Sequence, residues 1–158
     1  MFYHISNQNN VSGAWGRIFN LYGPNEAKLR LIPSIIISLL QDQHIPVTHG
    51  NQIRDYLFVE DVANAFVTLL ESDIKGPINI ASGKPIVLKD IFCSIEDLVD
   101  KKHLIEVGKL PAPELDPPVL FADVQRLNQE MNWKPKMTLE TGLKNTIEWW
   151  RKNIEREL

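Results

Sequence analysis

YLFVEDVANAFVTLLESDIKGPINIASG, residues 56–83, changes its hydrophobic period twice, and those changes decide the fold. Tyr56-Leu57-Phe58-Val59 is a short aromatic, β-type run. Glu60 and Asp61 follow where a helix wants an N-cap. Val62, Phe66, Leu69 and Leu70 then fall on one side of a helix expected from Val62 to about Glu71. Gly76-Pro77 resets the chain, Ile78-Asn79-Ile80 is a brief strand, and Ser82-Gly83 ends it. Strand, helix and strand in succession are the unit of an α/β layer fold.

The same alternation extends in both directions. Ala14 to Leu21 reads as one buried strand, closed by the turn residues Tyr22-Gly23-Pro24-Asn25. Ile32 to Leu40 is apolar on nearly every side and reads as a buried helix with Pro33 in its first turn. Downstream, Leu88, Ile91, Ile95, Leu98 and Val99 describe an amphipathic helix, and Leu104 to Val107 a short strand. Four prolines make Lys109 to Pro118 a loop. Asp123 can cap a helix reaching about Met131. Thr138 can cap a last one, on which Leu139, Leu143, Ile147, Trp150 and Ile154 recur every three or four residues. Trp149-Trp150 reads as packing, with a partner surface as the alternative.

Composition excludes several classes of function. A chain of 158 residues has room for one domain. The net charge of −3 and the absence of a basic stripe speak against nucleic acid; Lys101-Lys102, after Asp100, reads as a solvated helix end. Cys93 is the single cysteine, so no intrachain disulfide forms. Its apolar-periodic setting suggests a buried structural thiol. The histidines have no metal-type spacing. Leu31 to Leu40 is too short for a membrane span, which takes about 20 residues. The start has no secretory signal pattern, so a cytoplasmic protein is expected by default.

Two catalytic signatures are absent from the sequence. None of the eight glycines forms GxGxxG or GxxGxxG, the turn that lets backbone approach a pyrophosphate. A tyrosine base assisted by a lysine four residues on is absent as well: Tyr3, Tyr22 and Tyr56 are followed at that distance by Asn7, Glu26 and Glu60.

Three segments in order nevertheless carry a resemblance: Arg17-Ile18-Phe19-Asn20-Leu21-Tyr22-Gly23-Pro24; Gly50-Asn51-Gln52-Ile53-Arg54-Asp55-Tyr56 running into Val59-Glu60-Asp61-Val62-Ala63; and Asn79-Ile80-Ala81-Ser82-Gly83. Together they resemble the extended short-chain dehydrogenases acting on nucleotide sugars, a family of epimerases, 4,6-dehydratases and 4-keto-sugar reductases. The resemblance implies a small mixed α/β domain over residues 1–158, corresponding to the substrate-binding lobe, without the complete Rossmann half. It implies NAD or NADP in the complete enzyme, with none expected to bind well to this chain alone. The expected partners are a nucleotide-diphosphate sugar and the N-terminal Rossmann half. Met1 to Asn10 looks like the tail of the helix that bears the catalytic pair. Trp15-Gly16-Arg17 and Thr146-Ile147-Glu148-Trp149-Trp150-Arg151 look more like 4-keto-6-deoxysugar reductases of the CDP-abequose or CDP-paratose kind. The rival reading is a stand-alone module that binds nucleotide sugars or proteins without chemistry.

The resemblance also implies a site. Arg54 matches a pyrophosphate-binding arginine, since a guanidinium grips two phosphate oxygens at once; read alone it is a surface arginine paired with Asp55. Asn20 matches a phosphate or sugar donor, or else caps its turn. Asn79 matches a similar contact, or else a strand end. Arg30 and Leu31 match positions near base and phosphates, with a solvated arginine and a core leucine as the alternatives. Val47 and His49 match a pair lining the base, where His49 either stacks or is a plain loop residue. Asp116 matches an acid on the ribose. Relatives commonly carry an arginine three residues earlier, where this chain has Pro113.

Overall fold

Strand β4 (Ile53–Phe58) organises the domain, because three other strands hydrogen-bond to it. The structure is a computed structural model and describes residues 12–154; the expected helix tail at Met1 to Asn10 lies outside them. The second half of β4 pairs in parallel with β2 (Asn20–Tyr22), Asn20 opposite Tyr56 and Tyr22 opposite Phe58. Its first half pairs antiparallel with β6 (Pro85–Val87) and parallel with β8 (Val119–Leu120). Two parallel ribbons accompany this sheet: β1 (Ala14–Ile18) with β5 (Gly76–Ile80), and β3 (Ile45–Val47) with β7 (Ile105–Val107). The helices are α1 (Leu31–Leu40), α2 (Val59–Leu70), α3 (Leu88–Val99), α4 (Gln125–Gln129) and α5 (Leu139–Asn153). This is the mixed α/β architecture that the residue pattern implies.

Side chains alternate across a strand, so β4 feeds two separate cores. Leu57 packs with Val62, Leu69, Ile78, Leu127 and Trp133. Tyr56 and Phe58 face the other way, onto Tyr22, Ile36, Ile91, Ile95, Leu143 and Trp150. Trp150 is 1% exposed and meets Trp149 edge-on at 4.7 Å between ring centroids, so the tryptophan pair does pack. Pro33 occupies the third position of α1, where its missing N–H has no helical acceptor to lose. Thr138 Oγ1 accepts from Thr141 N at 3.2 Å and caps α5 as expected. Lys109 to Pro118 contains no helix or strand.

Several expectations change. The helix after Asp123 is α4, Gln125–Gln129, which stops short of Met131 and has Val124 at its N-cap with no side-chain cap. Leu70, expected on the inward side of α2, is exposed. The stretch from Ala14 to Leu21 is two strands, not one buried strand, because at Phe19 the chain leaves the β5 ribbon and joins β4. Trp15 and Ile18 accordingly remain 50% and 45% exposed. Glu60 and Asp61 do not cap α2, which begins earlier, at Val59, with no side-chain cap. Asp61 instead turns inward and accepts from Lys136 N at 3.1 Å and Met137 N at 2.9 Å. Cys93 is exposed, not buried. The inward stripe of α3 is Leu88, Ile91, Phe92, Ile95 and Val99, and about 100° per residue carries Cys93 off it.

Candidate functional site

The alternation that divides the cores also builds the site. Arg54 and Tyr56 lie two residues apart on β4 and therefore share a face; Asn20, directly opposite Tyr56 on β2, shares it too. Asp55 points the other way. It is fully buried, and its carboxylate accepts from Ser82 N at 2.8 Å, Ser82 Oγ at 2.6 Å and Gly83 N at 2.9 Å. The pairing of Arg54 with Asp55 that the sequence order suggests is thereby ruled out.

Arg54 is 7% exposed. Its Nη1 donates to Ile53 O at 2.8 Å and its Nη2 to Asp116 Oδ1. Gln52 Nε2 donates to Asp116 Oδ2 at 3.1 Å, and Ile53 N donates to Pro118 O at 2.9 Å, so the proline-rich loop is tied along the start of β4. The fork of a guanidinium and the acid that sequence reasoning assigned to phosphate and ribose thus lie side by side. Gln52 Oε1 is buried with no partner among the described residues.

Tyr56 separates two pockets. One, of about 200 Å³, is lined by Glu26, Arg30, Leu31, Leu21, Leu29 and Tyr56. The other, of about 230 Å³, lies among Tyr22, Tyr56, Phe58, Lys84, Met137 and Leu139. Burial pushes the Tyr56 phenol up to about 12; the Glu26 carboxylate adds to this, while Arg54 and Arg30 oppose it. Burial also pushes Glu26 up to about 7, against the pull of Arg30. Arg30 Nε stands 3.7 Å from Glu26 Oε1, yet Arg30 is two-thirds exposed while Glu26 is nearly enclosed.

The remaining expected residues are spread more widely. Asn20 Nδ2 donates to Asp55 O at 3.3 Å. Val47 sits in the core at 4% exposure. His49 Nδ1 accepts from Asn51 N at 3.0 Å within its own turn. Asn79 is on β5, where its Nδ2 donates to Asp123 O at 2.9 Å and ties that strand to the segment before α4. Gln52, Tyr56 and Glu26 were not singled out from sequence. The first two belong to the recognised segment, whereas Glu26 carries no sequence signal at all.

The described residues hold no group of three or more metal-ligating side chains. An added Cβ at Gly16 would stand 2.5 Å from Phe66, so that glycine makes room for a side chain. No described helix is long and apolar enough to cross a membrane.

Residues 1–81 match the profile of the NAD dependent epimerase/dehydratase family. The chain belongs to that family. A dTDP-glucose 4,6-dehydratase of Shigella flexneri is 29% identical over 161 residues, covering 89% of this chain and 44% of that protein. A UDP-glucuronate 4-epimerase of Thermodesulfobacterium geofontis is 31% identical over 141 residues, covering 88% and 43%. The crystal structure of a dTDP-glucose 4,6-dehydratase from Bacillus anthracis, in complex with NAD, superposes with a TM-score of 0.85 at 27% identity, over 98% of this chain and 48% of that one. This family member therefore spans less than half the length of those relatives.

Proposed function

We propose that this epimerase/dehydratase family member binds the nucleotide-diphosphate end of a nucleotide sugar and presents the sugar for NAD- or NADP-dependent chemistry. The observation that carries this reading is the shared face of β4 and β2: the nearly buried fork of Arg54, with Tyr56 and Asn20 beyond it, and Asp116 at its side. A guanidinium offers paired, fixed donors that suit phosphate oxygens. The family's hydride and proton transfers lie outside the described residues in this reading. What the described residues contribute is position, and holding a reactant in place lowers a barrier substantially. The finer reading is a 4-keto-6-deoxysugar reductase, supported by the residues at Trp15–Arg17 and Thr146–Arg151. With cofactor added, the 158-residue chain by itself is expected to turn nothing over.

Calorimetry with UDP-, CDP-, dTDP- and GDP-sugars tests the reading. One of these is expected to bind, and Arg54→Ala to weaken it roughly 10- to 100-fold, the loss of a charge-assisted hydrogen bond. Binding that Arg54→Ala leaves unchanged, or no binding by any of the four, would refute it.

A further inference from the structure

We infer that Gln52 is a positioning residue: it keeps the Asp116 carboxylate from closing over the Arg54 fork, so that the arginine stays open to a diphosphate. This deepens the reading above and rests on it. A guanidinium has five N–H donors. In Arg54 two are taken, by Ile53 O and by Asp116 Oδ1, which leaves three for a ligand. Arginine and carboxylate frequently meet fork to fork, through two parallel hydrogen bonds. Here they meet through one, because the second carboxylate oxygen is held by Gln52.

Gln52 stands directly before β4 and two residues from Arg54, so both side chains leave the chain on the same side. It is 4% exposed, and its Nε2 donates to Asp116 Oδ2 at 3.1 Å and to Thr48 Oγ1 at 3.4 Å. Both amide hydrogens are thereby directed. Turning the amide over would set its oxygen against a carboxylate. The backbone is fixed as well, since Leu88 N donates to Gln52 O at 3.0 Å. Asp116 N donates to Pro113 O at 3.1 Å, and Ile53 N to Pro118 O at 2.9 Å, so the loop around Asp116 is tied down on both sides. What remains to be set is the rotation of the Asp116 side chain, and the Gln52 amide sets it.

Stability alone does not explain this glutamine. Its Oε1 is buried with no donor among the described residues, and an unsatisfied buried acceptor is unfavourable. The useful end is the NH₂ group. An ionised carboxylate has about four acceptor positions, and Arg54 and Gln52 fill two. The Asp116 side chain is 29% exposed, so its outward positions stay available to a ribose hydroxyl. Without the amide, Asp116 turns fully onto the fork, and an entering diphosphate must break a second charge-assisted hydrogen bond.

The test is a set of double-mutant cycles read by calorimetry, with the tightest-binding of UDP, CDP, dTDP and GDP as the probe. Gln52→Leu is expected to weaken binding by at least about 10-fold, the worth of one charge-assisted hydrogen bond. In Asp116→Ala protein the same substitution is expected to change nothing, because no carboxylate remains to be held back. In Arg54→Ala protein it is also expected to change nothing, because no fork remains to be covered. A damaged fold would lower affinity in every background, and a role confined to the ribose would persist without Arg54. A loss that survives in either background, or no loss in Gln52→Leu itself, therefore overturns the inference while nucleotide binding at Arg54 stands. If none of the four nucleoside diphosphates binds to the wild-type chain, the proposed function fails and takes this inference with it. Gln52→Asn, polar but too short to reach Asp116, is expected to give the same cycles and decides the matter if Gln52→Leu does not fold.

Discussion

Asp55→Asn isolates how much of the site's rigidity comes from behind it. Asp55 is 0% exposed, and its two oxygens accept from the strand-end loop at Ser82 and Gly83 and from Ala122 N at 3.4 Å. These contacts fasten the back of β4 to the segments after β5 and before α4 while Arg54 points forward. Asparagine keeps the shape and one acceptor but turns an NH₂ group toward Gly83 N and Ala122 N. Each buried donor left without a partner costs about 1–3 kcal/mol, and the two bonds to the retained oxygen lose their charge assistance. Removing one side of a buried charged network therefore costs about 3–5 kcal/mol. For a domain of this length, about 4 kcal/mol lowers the thermal midpoint by roughly 10 °C. Urea denaturation followed by circular dichroism measures the change directly. A shift of the midpoint worth under 1 kcal/mol, with an unchanged m-value, would show that water or a relaxed loop satisfies these donors and that Asp55 does not set the geometry of β4.

The remaining predictions concern Glu26 and Gly142. The Glu26 carboxyl moves from 4.5 up to about 7 on folding, so the folded state holds the proton more tightly. Its contribution is fully present below about pH 4.5 and lost as pH rises through 7, about 3 kcal/mol in all. The stability difference between wild type and Glu26→Gln, measured by denaturant titration from pH 4.5 to 8, should follow that slope; a difference independent of pH refutes it. Gly142→Ala opposes two effects, since alanine favours a helix interior by about 1 kcal/mol over glycine. The added Cβ, however, would stand 2.8 Å from Tyr22 Cζ and 3.0 Å from Phe58 Cδ2. Tyr22 is 2% exposed and held by the hydrogen bond from its hydroxyl to Leu139 O, so overpacking wins and stability falls by about 1–3 kcal/mol. A thermal midpoint that rises instead would show that Tyr22 is free to move.

Local periodicity made most of the elements legible. The apolar steps of α3 and α5, the Thr138 cap and the proline-rich loop are written in neighbouring residues, and short-range physics is enough to place them. Arg54 was legible for a different reason: it stands in a recognisable run of residues. Glu26 was not, because it lies past the turn Tyr22–Asn25, among neighbours Ala27 and Lys28 that carry no motif, and it becomes enclosed only when α1 packs beside β2 and β4.

The sequence by itself determined the α/β class, the family, and the presence of an arginine suited to phosphate, since each is encoded in composition, period or a contiguous run of residues. Tertiary structure decided the partners. Strand pairing turned Asp55 away from its neighbour Arg54, set Asp116 against that arginine across 62 residues, and placed Asn20 opposite Tyr56. It also split one apolar run between two sheets. The reason is that alternation and register select contacts through space, and residues far apart in the chain carry no mark of which of them will meet.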